Sequence, residues 1–87
     1  MIVKAATIIQ DKRQNKRIII PCMRHGDVFF ILKQFGYQKI ADYEEIEQGF
    51  LDEHNNFYNR IEAHKHAYSC GQIHNATVTE LYSEDLW

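Results

Sequence analysis

The apolar positions of this chain change period along its length, and each change predicts an element. Ile2-Val3-Lys4-Ala5-Ala6-Thr7-Ile8-Ile9 is rich in β-branched residues and predicts a first strand. A polar stretch, Asp11-Lys12-Arg13-Gln14-Asn15-Lys16-Arg17, separates it from Ile18-Ile19-Ile20. That run predicts a second strand returning antiparallel and ending at Pro21, which has no N–H to give to a ladder. From His25 or Asp27 to about Phe35 the period lengthens: Val28, Ile31, Leu32 and Phe35 recur at i, i+3, i+4 and i+7, and Gly36 follows in a stop position. One short helix with a buried stripe is expected there.

Tyr37 to Ile46 mixes charge with spaced aromatics and reads as loop or irregular structure. Glu47 to Asp52 and Phe57-Tyr58 flank Glu53-His54-Asn55-Asn56, whose asparagines suit the left-handed positions of a tight turn, so a second hairpin is expected. Asn59-Arg60-Ile61-Glu62 then pairs a helix cap with a Glu three residues on, the pattern in which each side chain satisfies the other's backbone N–H. The helix that follows has Ala63, His66, Ala67 and Cys70 on one stripe and stops at Gly71. Small residues on that stripe allow a close approach to a sheet. The tail, Val78 to Trp87, closes in an apolar-acidic pattern that suggests docking. Together these elements predict a single α+β domain over residues 1–87, an antiparallel sheet built from two hairpins with two short helices.

Composition narrows the function classes. With 45% hydrophobic and 25% charged residues the chain is globular, and its small size favours oligomerisation for full stability. Eleven aromatic residues exceed what a modest interior requires, which places some at an interface or pocket. A formal charge of −2 argues against general nucleic-acid binding, and the basic stretch Lys12–Arg17 reads as a solvated hairpin loop. No run of about 18 apolar residues or leader pattern is present, so the expectation is a cytosolic protein with reduced thiols and no membrane partner. The spacing of Cys22 and Cys70 leaves a single bridge open.

The candidate ligand feature is Arg24-His25-Gly26-Asp27, two potential cations between a strand and a helix. A helix start offers unpaired N–H groups and a positive dipole end to an anion, and Arg24 adds a planar fork. Against this, Asp27 is itself able to occupy the helix start and Arg24 to be solvated. Five histidines raise metal binding, yet His64 and His66 point about 200° apart on a helix, and no H-x-x-x-H pair exists. His66 with Cys70 has the right interval but falls on the presumed core stripe. Neither Ser69 nor Ser83 stands in a nucleophile elbow, no phosphate-cradling glycine loop is present, and the paired acids lack a companion pattern. The residues therefore assign no catalytic group, metal ligand or cofactor.

Arg24-His25-Gly26-Asp27, Gln48-Gly49-Phe50, Asn59-Arg60-x-Glu62-Ala63, Ala67, Gly71-Gln72-Ile73 and Tyr82-Ser83-Glu84-Asp85-Leu86-Trp87, in that order, resemble a family of small phage proteins. This is the first-described type of Thoeris anti-defence protein, a "sponge" for cyclic ADP-ribose-type signals. The resemblance implies a non-enzymatic homo-oligomer in the cytoplasm of the infected bacterial host. It would trap glycocyclic ADP-ribose made by a TIR-domain enzyme, and some members of the family hold cyclic oligonucleotides at separate sites. It implies Arg24 on phosphate, Phe50 stacked on adenine and Asn59 bonded to base or ribose, with His25 and Arg60 completing the ligand-binding set. Ile61 and His66 depart from the family pattern, which has an acidic and an aliphatic residue there. Two other classes compete: an inhibitor that engages a host protein through Glu84, Asp85 and Trp87, and a metal-dependent or thiol enzyme.

Overall fold

The computed structural model of the protein describes residues 1–74 and 80–86. Four strands, β1 (Ile2–Asp11), β2 (Lys16–Cys22), β3 (Tyr43–Asp52) and β4 (Phe57–Asn59), form one sheet in the order β2-β1-β3-β4. Every neighbouring pair is antiparallel. Helix α1 (Asp27–Gln34) follows β2, α2 (Arg60–Ser69) follows β4, and a 3₁₀ turn spans Ser83–Asp85. The two hairpins predicted from the sequence are joined through the β1–β3 pairing. The expected docking of the tail is described from Glu80 to Leu86; Val78 and Trp87 lie outside the described residues.

Both helices cover the same face of the sheet. Ala5, Ile9 and Phe50 point toward that face, and the apolar residues gather in two clusters. One packs Ile2, Ala5, Phe50, Ala63, Ala67 and Leu81; the other packs Ile9, Val28, Leu32 and Tyr43. In α2 the buried side chains are Ala63, His64 and Ala67, while Cys70 is exposed and His66 stacks on Tyr58 at 4.8 Å. The expected stripe is thus corrected at His66 and Cys70, because the alanines set how closely the helix approaches and His64 rotates inward beside them.

Two further expectations are corrected. Pro21 does not end β2: it pairs with Ala6 within the ladder, which proline tolerates because β2 lies at the sheet edge. Tyr43 to Ile46 is strand, not loop, with Tyr43 opposite Asp11 and a register shift beside Ile46 that breaks the two-residue period.

Each hairpin is headed by an aspartate that supplies its turn with acceptors. Asp11 accepts from the N–H groups of Arg13 and Gln14 and from Tyr37 Oη at 2.9 Å. Asp52 accepts from the N–H groups of His54 and Asn56 and from Tyr58 Oη at 2.9 Å. Burial opposes the charge on Asp52, but these bonds outweigh it and hold the carboxyl well below its ordinary range. Asn15 and Asn55 adopt the left-handed backbone that closes the two turns. Among the described residues no helix is long and apolar enough to cross a membrane.

Gly49 pairs with Asn59 in the β3–β4 ladder, and a methyl group there would collide with the Tyr58 carbonyl oxygen and the Phe57 ring. Gly49→Ala is therefore expected to lower stability by about 1–3 kcal/mol in urea unfolding, as overpacking does. Gly26→Ala, where the methyl meets nothing within 4 Å, is expected to stay within about 0.5 kcal/mol of the parent.

Candidate functional site

The junction between β2 and α1 delivers His25 into the interior. Its Nε2 lies 2.7 Å from the Gly49 carbonyl oxygen and its Nδ1 lies 3.3 Å from Arg60 Nη2. A carbonyl only accepts and a guanidinium only donates, so Nε2 carries the proton and Nδ1 is bare. The ring also stands edge-on to Phe50, with centroids 5.1 Å apart. Burial lowers its pKa; the bond to Gly49 opposes this, and the Arg60 charge adds to the lowering.

Arg60 enters the same cluster because the Asn59 cap fixes where α2 begins. Asn59 Oδ1 accepts from the Glu62 N–H at 2.8 Å, and Glu62 Oε1 accepts from the Asn59 N–H at 3.1 Å. From the first helical position the guanidinium donates to the Leu81 carbonyl at 2.8 Å and to Gln48 Oε1. Leu81 N–H returns a bond to the Arg60 carbonyl at 2.9 Å. The guanidinium carbon lies 4.6 Å from the centroid of Tyr82, a ring 45% exposed whose hydroxyl bonds Glu80. Beside this pair is an open depression of about 280 Å³ lined by Glu47, Gln48, Asn59, Arg60, Ile61 and Glu80.

Four of the five residues singled out in the sequence surround the C-terminal segment or its anchor. Arg24 is half-exposed, with Nη1 3.4 Å from Ser83 Oγ and 3.7 Å from Glu84 Oε1. Asp27 does not cap α1, whose cap position is Gly26 with no side-chain bond; its carboxylate instead accepts from the Arg24 N–H at 3.1 Å. His25 and Arg60 touch, and Asn59 is engaged in capping while lining the depression. Phe50 is corrected: its side chain is fully buried beneath His25, so it forms floor and has no face to stack on a base. Gln48, Tyr82 and the Leu81 carbonyl were missed as partners of Arg60. Gln48 and Tyr82 fall within the motif blocks quoted above, but no local pattern joins positions so far apart in the chain.

Thiol chemistry finds no support at Cys22, whose pKa burial pushes up to about 11 with help from Asp27; both cysteines are free. The site belongs to a small antiparallel α+β protein that presents cations on aromatic rings beside an open, polar depression. The chain belongs to the phage T4 y16D protein family, whose family model matches residues 1–87. No curated protein and no solved structure matches the chain.

The unfolded chain takes up a proton at the ordinary histidine value, 6.5, whereas folded His25 resists it to lower pH. Its contribution to stability is therefore complete above pH 6.5 and is lost as the pH falls through the lower, folded value. Urea midpoints measured from pH 7.5 down to 5 are expected to drop in the parent, and His25→Gln is expected to flatten that slope by up to one proton.

Proposed function

We propose that this phage-family protein is a non-catalytic binder that captures a cyclic ADP-ribose-type signal, glycocyclic ADP-ribose, in the host cytoplasm and so withholds it from a defence effector. The carrying observation is the Arg60 guanidinium lying over the half-exposed Tyr82 ring beside the depression. Such a ligand needs an aromatic face for its base, acceptors for its ribose hydroxyls and cations for its phosphates. Tyr82 supplies the first, Glu47, Glu80 and Gln48 the second, and Arg60 with Arg24 the third. The Arg24 contacts are long, and the one with Glu84 is solvent-exposed, which leaves its guanidinium able to turn to a phosphate. Both nitrogens of His25 are engaged, in keeping with binding without turnover.

A depression of about 280 Å³ falls just short of ligand cavities, which run from about 300 to 1,000 Å³. In this reading one protomer grips part of the nucleotide and self-association closes the rest.

A second reading is favoured by the sidedness of the C-terminal segment. Leu81 and Ser83 are buried anchors, while Glu84 and Asp85 face solvent and would engage a host protein that the chain inhibits. Glu84→Lys would then abolish capture of that protein and spare nucleotide binding.

Calorimetry of the full chain at roughly 50 μM against glycocyclic ADP-ribose is expected to give saturable heat. Tyr82→Ala is expected to weaken binding by about 1–3 kcal/mol and Arg24→Ala by about 1.5–3 kcal/mol, with circular dichroism unchanged. The ligand is expected back intact after denaturation. Absence of heat removes this ligand, and recovery of a cleaved product makes the protein an enzyme.

A further inference from the structure

We infer that the open depression between α1 and the loop 36–42 is a separate binding site for a planar aromatic ring carrying a phosphate. It stands apart from the Arg60 depression, shares no lining residue with it, and does not depend on the function proposed above. Its volume is about 350 Å³, and it is lined by Phe29, Lys33, Tyr37, Gln38, Lys39 and Tyr43. Three rings, one amide and two ammonium groups make up the whole lining.

Those side chains come from different elements for identifiable reasons. Phe29 and Lys33 are four apart on α1 and so share one helix face. Tyr43, the first residue of β3, is nearly fully buried and forms the floor. Lys39 comes from the loop and places its Nζ 4.6 Å from the centroid of the Phe29 ring. Among the described residues neither Lys33 nor Lys39 has a carboxylate partner, whereas Arg13 is paired with Asp42 and Arg24 with Glu84.

The loop that carries Lys39 is held in place against a backbone preference. Ile40, a β-branched residue 73% exposed, sits at φ 74°, in the left-handed region that such side chains avoid. Nothing about its own packing recommends that conformation. The Ile40 N–H donates to the Tyr43 carbonyl at 2.9 Å, and the basic hairpin turn between β1 and β2 holds the loop from outside. Lys12 Nζ donates to the Ile40 carbonyl, the Lys12 N–H to the Asp42 carbonyl at 2.8 Å, and Arg13 Nη2 to the Gly36 carbonyl at 2.6 Å. Asp42 in turn accepts from the Gln38 N–H at 2.7 Å, and Arg13 lies 4.3 Å from the Tyr37 ring centroid. Backbone strain held by surrounding bonds gathers where a binding surface must be preformed.

The chemistry of the lining selects its ligand. Aromatic walls favour a flat ring over a bare ion, and compact ammonium charges favour a phosphate. The Gln38 amide offers both a donor and an acceptor to ring substituents.

Amide resonances of the full chain followed by NMR, with adenosine monophosphate and phenyl phosphate as probes and inorganic phosphate as control, test this directly. Either aromatic probe is expected to give saturable shifts across residues 33–43. Lys33→Ala and Lys39→Gln are each expected to weaken that binding by about tenfold, as loss of one charge-assisted bond does. Tyr82→Ala is expected to leave it unchanged, which separates this site from the Arg60 depression. Equal binding of inorganic phosphate would overturn the proposal by showing that charge alone is read. Shifts confined to the Arg60 depression, or none that saturate by roughly 10 mM, would overturn it as well.

Discussion

The guanidinium of Arg60 ties three parts of the molecule that have no covalent reason to meet. It bonds the Leu81 carbonyl, Gln48 of β3 and His25 of the β2–α1 junction, and its own carbonyl receives the Leu81 N–H. A partly buried cation is costly unless its N–H groups find acceptors, so the bonds that keep Arg60 in place also hold the C-terminal segment over the core. Leu81 is fully buried among Ala63, Ala67 and Phe50 as a result. His25 depends on the same group in another way. Its neutral form persists because the ring is buried and an always-charged neighbour faces Nδ1, against the opposing pull of the Gly49 carbonyl on Nε2, and the ring then closes the top of Phe50.

Around this junction the sheet is organised by repetition. Asp11 and Asp52 each end a strand by accepting two N–H groups of the turn that follows, each takes a tyrosine hydroxyl, and each turn contains an asparagine of positive φ. The two hairpins are thus built alike and differ in what they carry onward. The first hairpin uses the cations of its turn to hold the loop before β3, and the second leads straight into the cap of α2. Two small clusters, one beneath each helix, replace a single large core. That arrangement fits a chain of 87 residues, which buries too little surface to fill a deep interior.

What could be read from the sequence was what depends on near neighbours. Asn59 and Glu62 are three residues apart, so their reciprocal bonds are written in one short pattern, and the start of α2 followed from it. The hairpin of β3 and β4 was legible for the same reason. Tyr43 to Ile46 was not, because the register shift beside Ile46 disturbs the alternation and Glu44 and Glu45 mask the strand. Pro21 misled because a strand's place at the edge of a sheet is a property of the whole fold. At the site, Arg24 and His25 could be singled out by residue type, while Asn59 and Arg60 entered only through the resemblance to a phage family, and the inward turn of Phe50 could not be read at all. A Gly-Phe pair carries no mark of which face it occupies, and here the pairing of Phe50 with Ala5 sends the ring into the core.

The aromatic surplus finds its explanation in the cations. Arg13 lies on Tyr37, Lys39 on Phe29 and Arg60 on Tyr82, and in each pair at least one member belongs to a loop or terminal segment, not to the sheet. A loop cannot bury enough apolar surface to fix itself on so small a body, whereas a cation laid on a ring contributes on the order of 0.5–1 kcal/mol at exposed sites without requiring a deeper core. Such pairs also leave part of the ring and part of the charge facing water. The contacts that fasten the irregular segments are therefore the same ones that offer ring and charge together to a ligand, which is why both candidate depressions of this protein lie beside them.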